Sequence, residues 1–339
     1  MKKKILSVIL LFLTLTTHIS CTSNKINSNS DLTQENTEES NSNDIFFTAN
    51  YSGEISKEDI NTNIPFMAII ENSPDSRPQS GLSDADIIYE TSAEGNIPRF
   101  IALFHSKSPT KIGPIRSARP YFIHIAKENN LPFAHCGGSE EALNTINDNY
   151  SIMSINEISN GDYFWRDDTR KAPHNLYTSS DKIREYIKNS NWTISPTKFY
   201  KFDSSVYENS TLNVANNLKI SINKDYSTSY VYKNSHYYKY MDDKIAIDSN
   251  NDKPLSFSNI IIQKTDITTH PDNVHLNINL VGKGDGFILS QGKYLPITWK
   301  CSSEDSKTYL YDKDGNEISL TPGRTIWHII DSKTQTTIE

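Results

Sequence analysis

The hydrophobic pattern changes its period once along the chain, near residue 218, and that change constrains what the chain can fold into. Before it, short continuous apolar runs alternate with helical patterns. Pro65-Phe66-Met67-Ala68-Ile69-Ile70 has no polar residue, as a strand covered on both faces requires. Residues 86–90 (DIIYE) and 99–104 (RFIALF) read alike. Residues 117–128 read as a helix: Ser117 offers an N-cap oxygen and Pro120 falls in the first turn, where a missing N–H matters little. Phe122, Ile125 and Ala126 then share one face. Residues 131–136 form another strand, ended by Gly137-Gly138. Ser139 caps a helix through about Asn147, and Ser179 or Ser180 caps a third with Ile183, Tyr186 and Ile187 inward. This alternation predicts a layered, mixed α/β domain over residues 61–217.

Beyond residue 218 the period is two. Leu218, Ile220 and Ile222 alternate with polar residues, and Tyr230/Tyr232 and Val274/Leu276/Ile278/Leu280 continue the pattern. Gly284-Asp285-Gly286, Gln291-Gly292 and Asp314-Gly315 are turn signals between hairpins. A mainly-β domain is predicted over 218–335, with 191–217 as the connection. The fold class is therefore α+β, and the two parts are expected to be separable folding units.

The N-terminus is an address. Lys2, Lys3 and Lys4 precede an eleven-residue, largely apolar run at 5–15, which is too short to span a bilayer but suits a signal peptide over 1–20. His18-Ile19-Ser20-Cys21 resembles a lipobox, in which the Cys takes a lipid, although His18 stands where bacterial lipoboxes usually carry Leu. Lipidation at Cys21 would tie the protein to the outer face of the cytoplasmic membrane without spanning it. The alternative is an ordinary secretory signal and a secreted protein. Residues 22–43 hold eleven Asn or Ser, four acids and one Lys, a composition that buries no core. Residues 21–60 are therefore expected to be the lipidated Cys and its tether.

The 339-residue chain carries 34 basic and 41 acidic residues, a net charge of −7. Removing 1–20 takes away three Lys and no acid, which leaves 31 against 41, or −10. An acidic chain excludes a general nucleic-acid binder. With Cys21 lipidated, Cys136 and Cys301 remain, either paired or as two buried thiols.

Arginine usage is uneven. Of eight Arg, six (77, 99, 116, 119, 166 and 170) fall between residues 77 and 170 beside only three Lys. Arg presents a planar fork that holds carboxylate or phosphate at two points. Either these Arg pair with the acids of the same window (Asp84, Asp86, Glu90, Glu94, Asp162, Asp167, Asp168), or some line a cleft for an anion. Cys136-Gly137-Gly138-Ser139, between strand and helix, could bring backbone N–H groups to such an anion or could be a tight capped turn.

Catalytic patterns are sparse. There is no G-x-S-x-G and no S-x-x-K, and a Ser139–His174–Asp167 triad could arise only in space. No H-E-x-x-H or C-x-x-C occurs, so neither a metal nor a cofactor is expected, although His105, His135 and His174 could converge near Asp84 and Asp86. Glu90 and Glu94 flank a strand end, as a glycosidase pair might, with Tyr163, Phe164 and Trp165 as stacking surfaces.

Residues 72–90 (NSPDSRPQSGLSDADIIYE), Glu94-Gly95, Arg99-Phe100, 112–119 (IGPIRSAR), 135–139 (HCGGS) and 173–178 (PHNLYT) together resemble the YerB family of bacterial lipoproteins, a family without a settled activity. Gly282–Gly286, Thr298-Trp299-Lys300, Tyr311-Asp312, Pro322-Gly323 and Trp327 resemble that family's second domain. The resemblance runs from about residue 64 to 330 and implies a lipoprotein with an α/β domain followed by a β domain.

The reading that follows is a non-catalytic binding or accessory module of the cell envelope. Its candidate ligand site comprises Arg77, Arg99, Arg116, Arg119, His135, Gly137, Gly138, Ser139, Arg166, Arg170 and His174. Its partners are the membrane, through the N-terminal lipid, and an anionic envelope ligand or envelope protein. The alternative is a hydrolase of an envelope polymer with Glu90, Glu94 or His174 as acid or base.

Overall fold

A computed structural model describes residues 45–194 and 200–339; Cys21, the signal segment and most of the tether lie outside the described residues. In chain order the main elements of the first part are β1 (Phe66–Ile70), β2 (Ile87–Ser92), β3 (Pro98–Phe104), α1 (Pro120–Asn129), β4 (Phe133–His135), α2 (Glu140–Asp148), β5 (Ser154–Asn156) and α3 (Ser180–Asn189). Then come β6 (Asn213–Val214), β7 (Asn217–Ser221), β8 (Ser227–Lys233), β9 (His236–Met241) and β10 (Asn259–Thr265). The last are β11 (Gly282–Ser290), β12 (Lys293–Cys301), β13 (Tyr309–Tyr311), β14 (Thr325–Asp331) and β15 (Gln335–Ile338). Among the described residues all three α-helices precede residue 190 and the later part is built mainly of strands, so the α+β order holds.

The caps are mostly those the residue types demand. The Ser139 hydroxyl accepts from Ala142 N–H and the Ser179 hydroxyl from Lys182 N–H. Helix α1 begins later than the pattern suggests: Arg119 is its N-cap residue, without a side-chain cap bond, and Pro120 opens it. The folded part also starts before residue 60. Phe47–Thr48 pairs with Ile55–Ser56, and Ala49, Tyr51 and Ser52 are buried, with the Tyr51 ring edge-on to His105 at 5.2 Å. The polar residues around Tyr51 hide that burial in the sequence.

The two sequence parts do not form separate sheets. One eleven-stranded sheet runs β6-β12-β11-β10-β14-β2-β3-β1-β4-β5, with β13 on β12. Strand β14 from the end of the chain lies parallel between β10 and β2, in register Thr325↔Ile87 to Ile329↔Thr91. Strands β1, β2, β10 and β14 are buried on both faces, which explains their continuous apolar runs. The second sheet, β9-β8-β7-β15 with two short strands on β9, keeps the period-two alternation. It packs, with α3, against one face of the large sheet, through Ile88, Phe100, Ile260 and Ile326 meeting Leu218, Ile220 and Tyr237. Helix α1 covers the other face, where Met67, Tyr89, Ile101 and Trp327 meet Phe122 and Ile125.

Between the two sheets lies a buried ion pair. Lys239 of β9 points inward between Tyr237 and Met241, and its Nζ donates to Glu90 of β2 at 2.7 Å, to Thr228 at 2.6 Å and to Tyr230 at 3.0 Å. Tyr226 donates to the other Glu90 oxygen at 2.6 Å, and the Tyr230 hydroxyl meets His328 Nε2 of β14 at 2.7 Å. Burial pushes the Glu90 carboxyl up, but Lys239 and its hydrogen bonds outweigh that and hold it below the usual carboxylate range. Burial pushes His328 down to about 3, so the imidazole is neutral. Lys239→Met should destabilise the protein by about 3–5 kcal/mol, because Glu90 is left buried without its counter-ion. Adding Glu90→Gln should recover part of that loss, and urea melts of both singles and the double give the coupling. A loss under about 1 kcal/mol for Lys239→Met would show that the pair does not hold the sheets.

Candidate functional site

Strands β1, β2, β4, β5, β10, β12 and β14 all run in one direction and β3 runs against β1 and β2, so seven carboxyl ends share one edge of the sheet. In open α/β sheets that edge is where ligands bind. Here β1 is followed by Glu71, β4 by Cys136 and β5 by Glu157. Residues 113–118 thread between the ends of β1 and β4: Arg116 N–H donates to Ile69, and Cys136 N–H to Arg116. That backbone places the Arg116 side chain over the edge.

Two groups form there. In the first, Glu71 accepts from Arg116 Nη2 at 2.7 Å and from Ser73 at 2.7 Å, and both its oxygens lie 2.9 Å from His174 Nδ1. Burial raises the Glu71 pKa, yet these bonds together hold it below the usual range. Among the described residues the rest of the Arg116 fork and His174 Nε2 have no hydrogen-bond partner. In the second group, Cys136 donates to Glu157 at 3.1 Å, while Arg166 lies 3.8 Å from Glu157 and donates to Asn175 at 3.2 Å. Burial and Glu157 push the Cys136 thiol up to about 11, so it is no nucleophile at neutral pH.

The other arginines serve elsewhere. Arg99 and Arg119 both hold Glu94, and Arg99 also donates to the Ser117 carbonyl at 2.9 Å. Arg77 pairs with Asp242 at 2.7 Å and bonds Asn72, and Arg170 donates to the carbonyls of Pro78, Asp75 and Arg77. Each of the six thus has an acceptor within the protein. Gly137 adopts a left-handed φ of 62°, and a Cβ on Gly138 would meet Leu143 at 3.2 Å, so turn geometry and helix packing account for both. His135 is buried between the Gly137 carbonyl and the Ser154 hydroxyl, each at 2.7 Å, and burial lowers it to about 4.

The catalytic sets considered from sequence do not assemble. The Ser139 hydroxyl caps α2, His174 binds Glu71, and Asp167 holds Lys111 and Thr169. Glu90 is sealed between the sheets, out of reach of any sugar. Tyr163 packs edge-on to Tyr186 and Trp165 lies against Tyr177. His105 packs edge-on to Tyr51 rather than joining His135 or His174, and Asp86 accepts from the N–H groups of His105 and Ser106. Cys136 and Cys301 are both free thiols. Sequence reasoning overlooked Glu71, Glu157, Asn72 and Asp242; the polar residue directly after an apolar strand was the available signal for Glu71, whereas Glu157 follows the largely polar Ser154–Asn156.

Residues 51–193 match the family described as "Protein of unknown function (DUF3048) N-terminal domain", and residues 217–327 match its C-terminal domain. Over 275 residues the chain is 30% identical to the "Putative lipoprotein YerB" of Bacillus subtilis (strain 168), covering 78% of this chain and 81% of that protein. The chain belongs to this family. The crystal structure of the YerB protein from Bacillus subtilis matches with a TM-score of 0.77 at 28% identity, over 86% of this chain and 99% of that one. The family resemblance read from the motifs is thereby established, and so is the shared two-domain α+β architecture. The C-terminal match begins where β7 begins, at residue 217.

The edge carboxylates set an acid limit. Glu71 and Glu94 both titrate below their ordinary value of 4.5: burial raises each, but it is outweighed at Glu71 by the hydrogen bonds from Arg116, His174 and Ser73 together, and at Glu94 by the Arg119 hydrogen bond with the charges of Arg99 and Arg119. Stability from this source is fully present above pH 4.5 and is lost as pH falls through the lowered native values. Urea midpoints measured from pH 6 downwards should therefore fall below about pH 4.5, and less steeply in Glu71→Gln. A midpoint that stays constant down to about pH 3 would contradict the assignment.

Proposed function

We propose that the protein is a membrane-anchored extracytoplasmic lipoprotein that acts as a non-catalytic binding or accessory module of the cell envelope. Its ligand is a phosphate- or carboxylate-bearing envelope component, bound at the carboxyl edge by Arg116, Arg166 and His174. The observation that carries this reading is the depth order of the charges. Side-chain exposure is 6% for Glu71 but 26% for the Arg116 it holds, and 20% for Glu157 but 48% for Arg166. The acids lie behind and orient the cations, and the cations face solvent. Arg116 commits only Nη2 to Glu71, so part of its planar fork stays available for a second oxyanion. The anchor reading rests on Lys2–Lys4, the short apolar run and Cys21, and on a relative named as a lipoprotein.

A hydrolase would have to run through the Glu71–His174 couple, where a carboxylate orients an imidazole whose Nε2 points away from it. No partner nucleophile stands beside that nitrogen among the described residues, so binding is favoured.

Thermal melts with phosphate, citrate or an anionic wall polymer test the site. Wild type should be stabilised by about 2.7 kcal/mol at a hundred times Kd. Arg116→Lys, which keeps the charge and loses the fork, should abolish the shift while leaving the unliganded fold intact. No ligand-dependent shift in wild type would overturn the anion site, and polymer cleavage lost in His174→Gln would replace binding by hydrolysis. In fractionation, Cys21→Ala should move the protein off the membrane; a mutant retained there after signal cleavage would contradict lipid anchoring.

A further inference from the structure

A second set of chemically capable groups lies on the α1 side of the large sheet. His124 and Glu128 stand one turn apart on α1, and Cys301 ends β12. His124 Nε2 is 3.8 Å from Cys301 Sγ and 3.9 Å from Glu128 Oε2, and all three donor atoms lie within 4.8 Å of one another. We propose that His124, Glu128 and Cys301 form a binding site for a divalent transition metal of the zinc class, with a fourth position open to the neighbouring cleft.

The spacing supports this directly. Tetrahedral zinc with ordinary bond lengths places imidazole nitrogen, thiolate sulfur and carboxylate oxygen about 3.4–3.6 Å apart. Closing the two His124 distances takes shifts of a few tenths of an ångström, and the Cys301–Glu128 separation, within 4.8 Å, closes by about an ångström at most through side-chain rotation. The donor set is also selective. Thiolate with imidazole favours zinc-like ions, whereas calcium and magnesium take all-oxygen shells.

Burial makes the same point independently. Glu128 is almost wholly enclosed, and among the described residues its hydrogen-bond donors come from Thr308, the hydroxyl at 2.9 Å and the backbone N–H. The adjacent Lys127 turns away to Asp305 at 2.9 Å. A carboxylate so enclosed is stabilised in its charged form by a cation, and a metal ion supplies one. Thr308 would then act as the outer group that orients a metal-bound carboxylate. Without metal, the Cys301 thiol lies 3.2 Å from the Ser303 carbonyl and 3.3 Å from that of Ser306. Binding displaces the thiol proton to solvent and turns the sulfur toward the ion. Access is through a cleft lined by Tyr121, His124, Lys127, Glu141, Ile278 and Glu304.

The test uses the untagged full chain, reduced and stripped with chelator, then titrated with Co²⁺ and with Zn²⁺. One Co²⁺ should bind per chain with an intense near-ultraviolet thiolate-to-cobalt band, and Zn²⁺ should displace it. Cys301→Ser should remove that band, and Cys301→Ser and His124→Gln should each weaken Zn²⁺ by more than the 10–100-fold typical of losing an outer-shell partner. Thr308→Val should keep the band and weaken binding about 10–100-fold. Circular dichroism identifies variants that fail to fold. The wild-type spectrum is decisive without them: no stoichiometric uptake, or uptake without a thiolate band, overturns the site. Zn²⁺ affinity unchanged in folded Cys301→Ser and His124→Gln would do the same.

Discussion

The Lys239–Glu90 ion pair is the contact on which the arrangement of the two sheets depends. Both groups are buried, and neither has solvent as an alternative partner. Burying them is expensive, and the expense is offset only when Tyr226, Tyr230 and Thr228 complete the hydrogen bonding. Apolar contacts between the sheets tolerate small slides, but this pair does not. A one-residue slip of β9 would turn Lys239 outward and leave Glu90 buried alone. The pair therefore fixes the register of β9 against β2 while the apolar residues around it supply most of the attraction.

The same network reaches the carboxyl edge. Asn72 donates to Tyr226 at 3.1 Å and to Glu90 at 3.4 Å, and its carbonyl oxygen accepts from Arg77 and Gln79. Its neighbour Glu71 turns the other way, to Arg116 and His174. Two adjacent residues after β1 thus join the core between the sheets to the proposed ligand face. Arg77 extends the link to the second sheet through Asp242 and lies over the Tyr226 ring at 5.1 Å. Rigid support of this kind keeps charged side chains in place before a ligand arrives.

Local structure was legible where one residue type has one physical role. Ser139, and Ser179 or Ser180, announce helix starts, Gly137-Gly138 the end of a strand, and the 66–70 run a doubly covered strand. The joining of the two parts was not legible, because β14 pairs with β2 across more than two hundred residues and both read as ordinary apolar strands. The Arg window was visible as a bias in usage, but which acid meets which Arg depends on pairings that the sequence does not carry. Lys239 left a faint signal: it occupies an inward position in the alternation Tyr237, Lys239, Met241. His124 and Glu128 share a helix face, yet their third partner lies at position 301, beyond the reach of any local motif.

One sheet built from both parts, clamped to the second sheet by a buried charge pair, should open as a single unit. Native-state hydrogen exchange of the intact chain measures this most directly. The slowest amides of β2, β8 and β14 should share one opening free energy and one denaturant dependence, equal to those of global unfolding. Opening of β8, β9 and β14 at a distinctly lower free energy, with β1–β3 still protected, would contradict the account.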